Sequence, residues 1–480
     1  MQQLSNFING EYVPPQEGKY LEKLDPATAE KIYDLPDSTE LDVVKAVQAA
    51  QKAFGDWSDT TTAERSRILM KVADLIDENL EELALAESHD VGKPVELAKT
   101  LDIPRAALNF RFFATRILHK EETATSMDGE AINYVLRQPV GVAGLISPWN
   151  LPLYLLSWKI APALACGNTV VCKPSEFTSK TAWLLMDLLK KAGLPNGVCN
   201  LVIGRGDPAG RFLVEHPGVP LISFTGGTKT GEVIQKLAAP KVKRLSLELG
   251  GKNATIVMND ADLKKAIPTI VRSSFLNQGE ICLCGSKILV QEQIYPEFMK
   301  EFTAAVKEIK VGDPRAKDTF MGPVIYQAHL DKVMGAIALA KSENGKIVCG
   351  GNKLNLPGSL AKGYFVEPTV IEDLTNCSEL HQTEIFGPVV TVNSFKYPVD
   401  AVKWANNSPY GLSASIWTKD LSRAHKVAAQ LNVGTVWINT WLKRDLRMPF
   451  GGAKASGIGR EGGDHSFDFF TETKTVCVQL

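Results

Sequence analysis

Val140-Gly141-Val142-Ala143-Gly144-Leu145-Ile146 is a short apolar run that stops abruptly at Ser147-Pro148-Trp149-Asn150-Leu151-Pro152. Similar runs recur at Thr169–Cys172, Val198–Ile203 and Leu221–Phe224. Between them lie patterns of helical period, such as Lys180–Ala192 with Gly193-Leu194-Pro195 as its stop. Strands that are apolar on both faces and joined by crossover helices build a parallel, doubly wound sheet. The alternation resumes after Leu249-Gly250-Gly251, with strand candidates at Asn253–Met258 and Lys287–Gln291 and helix candidates at Leu263–Asn277 and Tyr295–Ile309. This second set predicts a second α/β domain.

Upstream, Phe7-Ile8, Asn9-Gly10 and Glu11-Tyr12-Val13 read as a hairpin, because Asn-Gly favours the positive φ angles of a type I′ turn. Val43, Val47, Ala50 and Phe54 make one helical stripe after the cap candidates Ser38 and Thr39. Thr61-x-x-Glu64 reads as a capping box ahead of Ile68, Val72 and Ile76. Ile132–Leu136 and Thr473–Leu480 alternate as strands with no evident partner in their own domains, so both are expected at an edge or a subunit interface.

The 480 residues are too many for a single core, and 44% apolar with 22% charged residues describes an ordinary globular chain. A net charge of -1 gives no reason to expect nucleic acid or an anionic membrane as partner. Met1–Asn6 lacks a basic segment followed by an apolar run. The most apolar window, Leu151–Cys172, is interrupted by Pro152, Lys159, Pro162 and Asn168. The expectation is a cytoplasmic protein without a membrane span. Eight cysteines are scattered; Cys282-x-Cys284 is too close for a structural zinc pair and no second cluster matches it, so no metal site is expected. The same closeness disfavours a redox disulfide between the two.

Several strand ends carry chemistry. Cys282, after Asn277-Gln-Gly-Glu-Ile, is a candidate nucleophile, although most cysteines in a reducing compartment are inert small hydrophobes. Glu248, among leucines and before two glycines, should be desolvated and so suits a general base; satisfaction by the backbone N–H groups of the glycine turn is the competing reading. Asn150, pinned between two prolines, is a neutral donor suited to a developing oxyanion, or simply a turn residue.

Lys173-Pro-Ser-Glu176 follows a strand, where a lysine and an acid suit ribose hydroxyls or form a solvated turn. A carboxylate there would repel a 2′-phosphate and favour NAD over NADP. Gly204-Arg-Gly206-Asp-Pro-Ala-Gly210 is one residue too long for G-x-G-x-x-G. Phe224-Thr-Gly-Gly-Thr-Lys-Thr-Gly231 offers a Gly/Thr turn to a pyrophosphate. Each of these turns can equally be a tight strand-to-helix connection.

Taken in order, Ser147-Pro-Trp-Asn150, Lys173-Pro-Ser-Glu176, Phe224-Thr-Gly-Gly227, Glu248-Leu-Gly-Gly-Lys252, Asn277-Gln-Gly-Glu-Ile-Cys282, Glu384-Ile-Phe-Gly-Pro388, Pro449-Phe-Gly-Gly452 and Ser456-Gly-Ile-Gly-Arg460 resemble the aldehyde dehydrogenase superfamily over essentially the whole chain. The resemblance implies an NAD-dependent oxidation with Cys282 as nucleophile. Asn150 and the Cys282 N–H would form the oxyanion hole, and Glu248 would be the base for the deacylating water. A glutamate at 248 disfavours the branch that passes the thioester to coenzyme A.

It also implies cofactor contacts from Ile146, Ser147, Pro148 and Trp149; from Lys173, Ser175 and Glu176; and from Gly206 and Gly210. Phe224, Thr225, Gly226, Gly227 and Thr230 would follow, with Leu249, Gly250, Glu384 and Phe386 at the nicotinamide end. Many members carry serine where this chain has Gly227, so only backbone remains there for a phosphate.

Asp102-Ile-Pro-Arg105-Ala-Ala-Leu-Asn-Phe-Arg111 and Trp441-Leu-Lys-Arg444-Asp-Leu-Arg447-Met-Pro-Phe450 resemble a narrower group, the dehydrogenases of 2-aminomuconic and 2-hydroxymuconic semialdehyde. Arginine forks bind carboxylates bidentately, and these substrates carry a carboxylate. Arg105 and Arg444 are the expected anchors, with Leu155 and Phe450 beside the substrate. An ion pair with Asp102 or Asp445 is the alternative.

A dehydrogenase of another aldehyde, such as an aminoaldehyde, and a non-enzymatic NAD-binding protein are the competing functions. The implied organisation is an NAD-binding domain from 1–120 and 138–247, a catalytic domain from 248–440 and an oligomerisation arm from 121–137 and 461–480. Residues 441–460 form a substrate loop and the return to the cofactor domain. A homodimer or homotetramer is expected.

Overall fold

The computed structural model describes residues 2–375 and 377–480. Its first large sheet has eight strands in the order Gly457–Ile458, Arg244–Glu248, Leu221–Thr225, Val142–Ile146, Thr169–Lys173, Cys199–Leu201, Asn6–Ile8 and Glu11–Val13. The five central strands are parallel, and both edges are finished by antiparallel pieces. Apolarity on both strand faces has a direct cause. Ala143, Leu145, Val170 and Cys172 pack on helices Thr62–Glu78, Ile103–Arg116, Pro152–Ala165 and Lys180–Lys191, whereas Val142, Ile146, Val171 and Ile222 pack under Glu40–Ser58 and Thr228–Ala238.

The second sheet has seven strands in the order Lys346–Cys349, Thr369–Glu372, Val389–Phe395, Lys287–Gln291, Ala254–Val257, Ser413–Trp417 and Thr435–Ile438. All its pairings are parallel except the first. The chain enters this sheet at Gly250–Asn253, just after leaving the first sheet at Glu248. The C-terminal strand ends of the first sheet are therefore carried toward the N-terminal strand ends of the second. In the first sheet the connection order reverses between Val142–Ile146 and Leu221–Thr225, the switch point at which open α/β sheets bind ligands.

A third sheet pairs Ala131–Pro139 with Ala124–Met127 and, over nine residues, with Thr471–Gln479. The two strands expected to lack partners in their own domains thus pair with each other. Residues 461–470 do not belong to this arm: Gly463–Phe470 is a helix whose Phe467 and Phe470 sit in the first core beside Phe113 and Trp158. Local signals behave as their chemistry dictates. Asn9 and Gly10 turn the hairpin at φ 54° and 81°, and the Thr61 hydroxyl accepts the Glu64 N–H at the start of Thr62–Glu78. The helix expected over Leu263–Asn277 ends at Phe275, because Asn277 and Gln278 take φ of 51° and 58°. That left-handed step turns the chain into the segment bearing Cys282.

Candidate active site

A cavity of about 870 Å³ opens at the switch point of the first sheet and runs to Cys282. Ile146, Ser147, Pro148, Trp149, Lys173, Ser175, Glu176, Gly206 and Gly210 line it. So do Phe224, Thr225, Gly226, Gly227, Thr230, Leu249, Gly250, Glu384 and Phe386, together with Asn150, Leu155 and Cys282. Every residue expected to touch the cofactor is on its wall. Its size is that of a site for a large ligand. The described residues fit a dinucleotide: polar side chains at both ends and an uncapped helix start between them.

At the outer end, Lys173 Nζ donates to the Pro174 carbonyl at 2.8 Å and stands 3.9 Å from Glu176 Oε2. Burial pushes the Lys173 amine below its usual range, and Glu176 opposes that push. In the middle, helix Thr228–Ala238 starts at Gly227 with no side-chain cap, so its first-turn N–H groups remain available to an anion. A Cβ at Gly227 would meet nothing within 4 Å.

At the inner end, Glu384 lies partly buried against the glycine turn, and its Oε1 accepts the Gly251 N–H at 2.9 Å. A Cβ on Gly250 would come within 2.2 Å of Glu384 Oε2, so this approach requires glycine. Burial raises the Glu384 carboxyl above its ordinary range.

The wall also holds residues that the sequence reading did not single out, among them Phe177, Tyr326, His329 and Lys332. Phe177 stacks on Tyr326 at 4.3 Å, and Trp149 meets His329 and Phe386 edge-on at 5.3 Å each. His329 Nε2 lies 2.6 Å from the Phe386 carbonyl; burial lowers its pKa to about 4, so the ring is neutral and Nε2 is the donor. Tyr326 and His329 arrive from the start of helix Gln327–Ser342, in the second sheet's half of the chain.

The Cys282 segment is held from three sides. Asn253 Nδ2 donates to the Cys282 and Cys284 carbonyls at 2.7 and 2.9 Å, and Trp441 Nε1 donates to Leu283 O at 2.9 Å. Asn150 Nδ2 donates to the Glu280 carbonyl at 2.8 Å, which fixes the amide beside the segment and leaves its second N–H for another acceptor. Burial pushes the Cys282 thiol up, with Glu384 and Glu248 adding to the push and Arg444 opposing it. The resting sulfur is therefore a thiol, and a positive charge brought close to it would favour the thiolate.

Glu248 is not on the cavity wall. It lies behind it, fully buried, with Oε1 packed against Gly451 and neither oxygen hydrogen-bonded among the described residues. The glycine turn after it does not satisfy the carboxylate. Burial, then the nearby Glu461, raise its pKa well above the ordinary value; Lys159 and Arg444 oppose them. Glu461 Oε1 in turn accepts from Lys159 Nζ at 3.0 Å.

Arg105 and Arg444 also stand off the cavity wall, on one aromatic platform. Their guanidinium carbons lie 5.7 and 5.5 Å from the Trp158 ring, with Tyr154 under Arg105 at 5.0 Å and Phe450 under Arg444 at 3.7 Å. Arg105 Nε donates to Asn109 Oδ1 at 3.0 Å, and its Nη2 has no partner among the described residues. The neighbouring acids are already engaged, Asp102 by Lys93 and Asp445 by Arg447. The 441–450 loop is thus less cationic toward the interior than its composition suggests, since Arg447 is an exposed ion pair.

A two-sheet α/β chain whose dinucleotide-sized crevice ends at a thiol and a neutral amide donor, with a buried carboxylate behind it, has the parts of a cofactor-dependent oxidoreductase. The aldehyde dehydrogenase family profile matches residues 12–476, and the chain belongs to that family. It is 52% identical to the 2-aminomuconic semialdehyde dehydrogenase of Bos taurus, over 99% of this chain and 98% of that one. It is 46% identical to the 2-hydroxymuconic semialdehyde dehydrogenase of Pseudomonas sp. (strain CF600), over the full length of both. Among solved structures, an NAD+ complex of an aldehyde dehydrogenase from Bacillus cereus superposes with a TM-score of 0.97 at 40% identity, covering 100% of this chain and 97% of that one. The chain is accordingly an NAD(P)-dependent enzyme of aldehyde oxidation. No helix among the described residues is long and apolar enough to cross a membrane.

Proposed function

We propose that this enzyme uses NAD to oxidise a semialdehyde bearing a carboxylate, 2-aminomuconic or 2-hydroxymuconic 6-semialdehyde, to the dicarboxylic acid. The observation that carries the reading is the arginine pair: two guanidiniums on one tryptophan, with no carboxylate of the chain paired to either among the described residues. Unpaired, half-buried cations are costly and await an anion. The relatives that act on muconic semialdehydes point to the same chemistry.

Bound NAD supplies the hydride acceptor. Lys173 and Glu176 would hold one ribose, Glu384 the other, and the N–H groups at Gly227 and Thr228 the phosphates. A ribose held by Glu176 would bring a 2′-phosphate against its carboxylate, which favours NAD over NADP. The Cys282 sulfur, once its proton has passed to solvent, adds to the aldehyde carbon, and the free Asn150 N–H with the Cys282 N–H holds the oxyanion. Collapse of that oxyanion would expel the aldehydic hydrogen as hydride to the bound acceptor, and Cys282 keeps the acyl group as a thioester. Glu248, raised by burial and placed on the side of Arg444, takes a proton from the hydrolysing water. Arg105 and Arg444 anchor the distal carboxylate throughout.

The arm sheet leaves Ile132, Tyr134, Leu136 and Val478 exposed on one face, a surface suited to a second copy of this chain in a homodimer or homotetramer.

The test is a substrate panel followed by NADH absorbance, pairing the semialdehyde with a neutral aldehyde of equal length. The reading expects kcat/KM at least about tenfold higher for the semialdehyde, the worth of one charge-assisted pair. Equal values on both would remove the carboxylate assignment and leave only general aldehyde oxidation.

A further inference from the structure

Behind Asn150 lies a group of ionisable side chains that takes no part in the chemistry above. Lys93, Asp102 and Glu87 are all 0% exposed. Lys93 stands in the three-residue joint after helix Leu80–Val91, whose end is set by Gly92 at φ +84°. Its Nζ donates to Asp102 Oδ1 at 2.9 Å and to the main-chain carbonyl of Asn150 at 2.9 Å, while Glu87 Oε1 is 3.9 Å away. Asn277 Nδ2, from the left-handed step before Cys282, reaches the same Asn150 carbonyl at 3.2 Å.

An ammonium sunk this deep is an expensive way to stabilise a fold, since well-packed apolar side chains do as well or better. What an ammonium adds is a strong, directed bond to one acceptor. Here that acceptor is the peptide of the residue whose side chain lines the same cavity as Cys282. The Asn150 side chain has one N–H committed to Glu280, so the direction of the other depends on where its main chain is held. Two donors fix that main chain: one from the Cys282 segment and one from Lys93.

We propose that Lys93 is a positioning residue for the oxyanion site: its ammonium clamps the Asn150 carbonyl and so aims the Asn150 amide at the carbonyl oxygen of the substrate. The inference rests on the reading of Asn150 as the oxyanion donor. Asp102 lies one residue ahead of the helix that bears Arg105, so the same joint links the oxyanion site to the proposed carboxylate anchor. Burial raises the carboxyls of both Glu87 and Asp102, and Lys93 opposes the rise in each. Changing Lys93 and Asp102 together removes the donor and its nearest acid at once, so neither is left alone in the core.

The test uses full-length enzyme and the pre-steady-state burst of NADH, which reports the acylation half-reaction. Asp102→Asn leaves the bond from Lys93 to Asn150 in place, and its burst should stay within about twofold of wild type. Lys93→Met in the Asp102→Asn background should slow the burst about 10- to 100-fold, the scale of a misaimed catalytic group, with the Kd for NAD unchanged. In an Asn150→Ala background, itself slow, the same Lys93 change should cost nothing further. A merely structural lysine would instead lower thermal stability and leave the burst per folded subunit intact, or cost the same in both backgrounds, and either result overturns the inference. Should the double variant fail to fold, Lys93→Gln in the Asp102→Asn background replaces it. A slowed burst supports the clamp and a wild-type burst overturns it. If Asn150→Ala alone leaves the burst unchanged, the oxyanion reading itself is the part that fails.

Discussion

Replacing Arg444 with alanine removes one fork of the proposed carboxylate anchor and leaves the cofactor wall untouched. The guanidinium packs 3.7 Å from Phe450 and shares Trp158 with Arg105, and neither arginine is among the residues lining the cavity. A charge-assisted hydrogen bond is worth about 1.5–3 kcal/mol, so KM for the semialdehyde should rise roughly 10- to 150-fold. The lost cation–π contact is worth about 0.5–1 kcal/mol at a partly exposed site, too little to unfold the chain. For a neutral aldehyde of the same length, KM should move by less than about threefold, since no anion is lost from the complex. Steady-state rates by NADH absorbance on both substrates decide the matter. If the two KM values rise together, Arg444 shapes the pocket without binding the carboxylate, and the anchor argument fails. A cycle with Arg105→Ala adds a check: two forks on one carboxylate should be non-additive.

Three further outcomes follow from the same geometry. Because the Glu248 pKa is raised and the base must be ionised to act, the deacylation rate should climb as pH rises through that value, whereas Glu248→Gln should flatten the limb and lower kcat about 10²- to 10⁴-fold in stopped-flow traces. Gly227→Ser has room for its side chain and restores a hydroxyl at the pyrophosphate turn; fluorescence titration should show NAD binding about two- to tenfold tighter. Glu176→Gln removes the carboxylate proposed to face the outer ribose, so the proposed preference for NAD over NADP in kcat/KM should drop by roughly tenfold, and an unchanged ratio would shift that role to another residue.

The parts of the site legible in the sequence are those written locally. Ile146, Lys173, Thr225 and Glu248 each end a strand, and a strand's end is readable from its apolar run and the Gly or Pro that stops it. That is why the expected cofactor residues fall together on one wall once the sheet is built. Tyr326 and His329 were invisible because nothing in Tyr-Gln-Ala-His announces contact with a tryptophan 177 or more residues earlier; only the facing of the two sheets brings them together. Lys93 was hidden for a different reason. Gly92-Lys93-Pro94 reads as an ordinary helix end, and its burial under Asn150 is a property of the fold.

The covalent step is reached most directly by intact-mass spectrometry of the Glu248→Gln enzyme after one exposure to NAD and the semialdehyde. The account predicts one equivalent of NADH per subunit and a stable acyl adduct that maps to Cys282 and is absent from Cys282→Ala. Full turnover by Glu248→Gln with no adduct, or an adduct on any other residue, would contradict it.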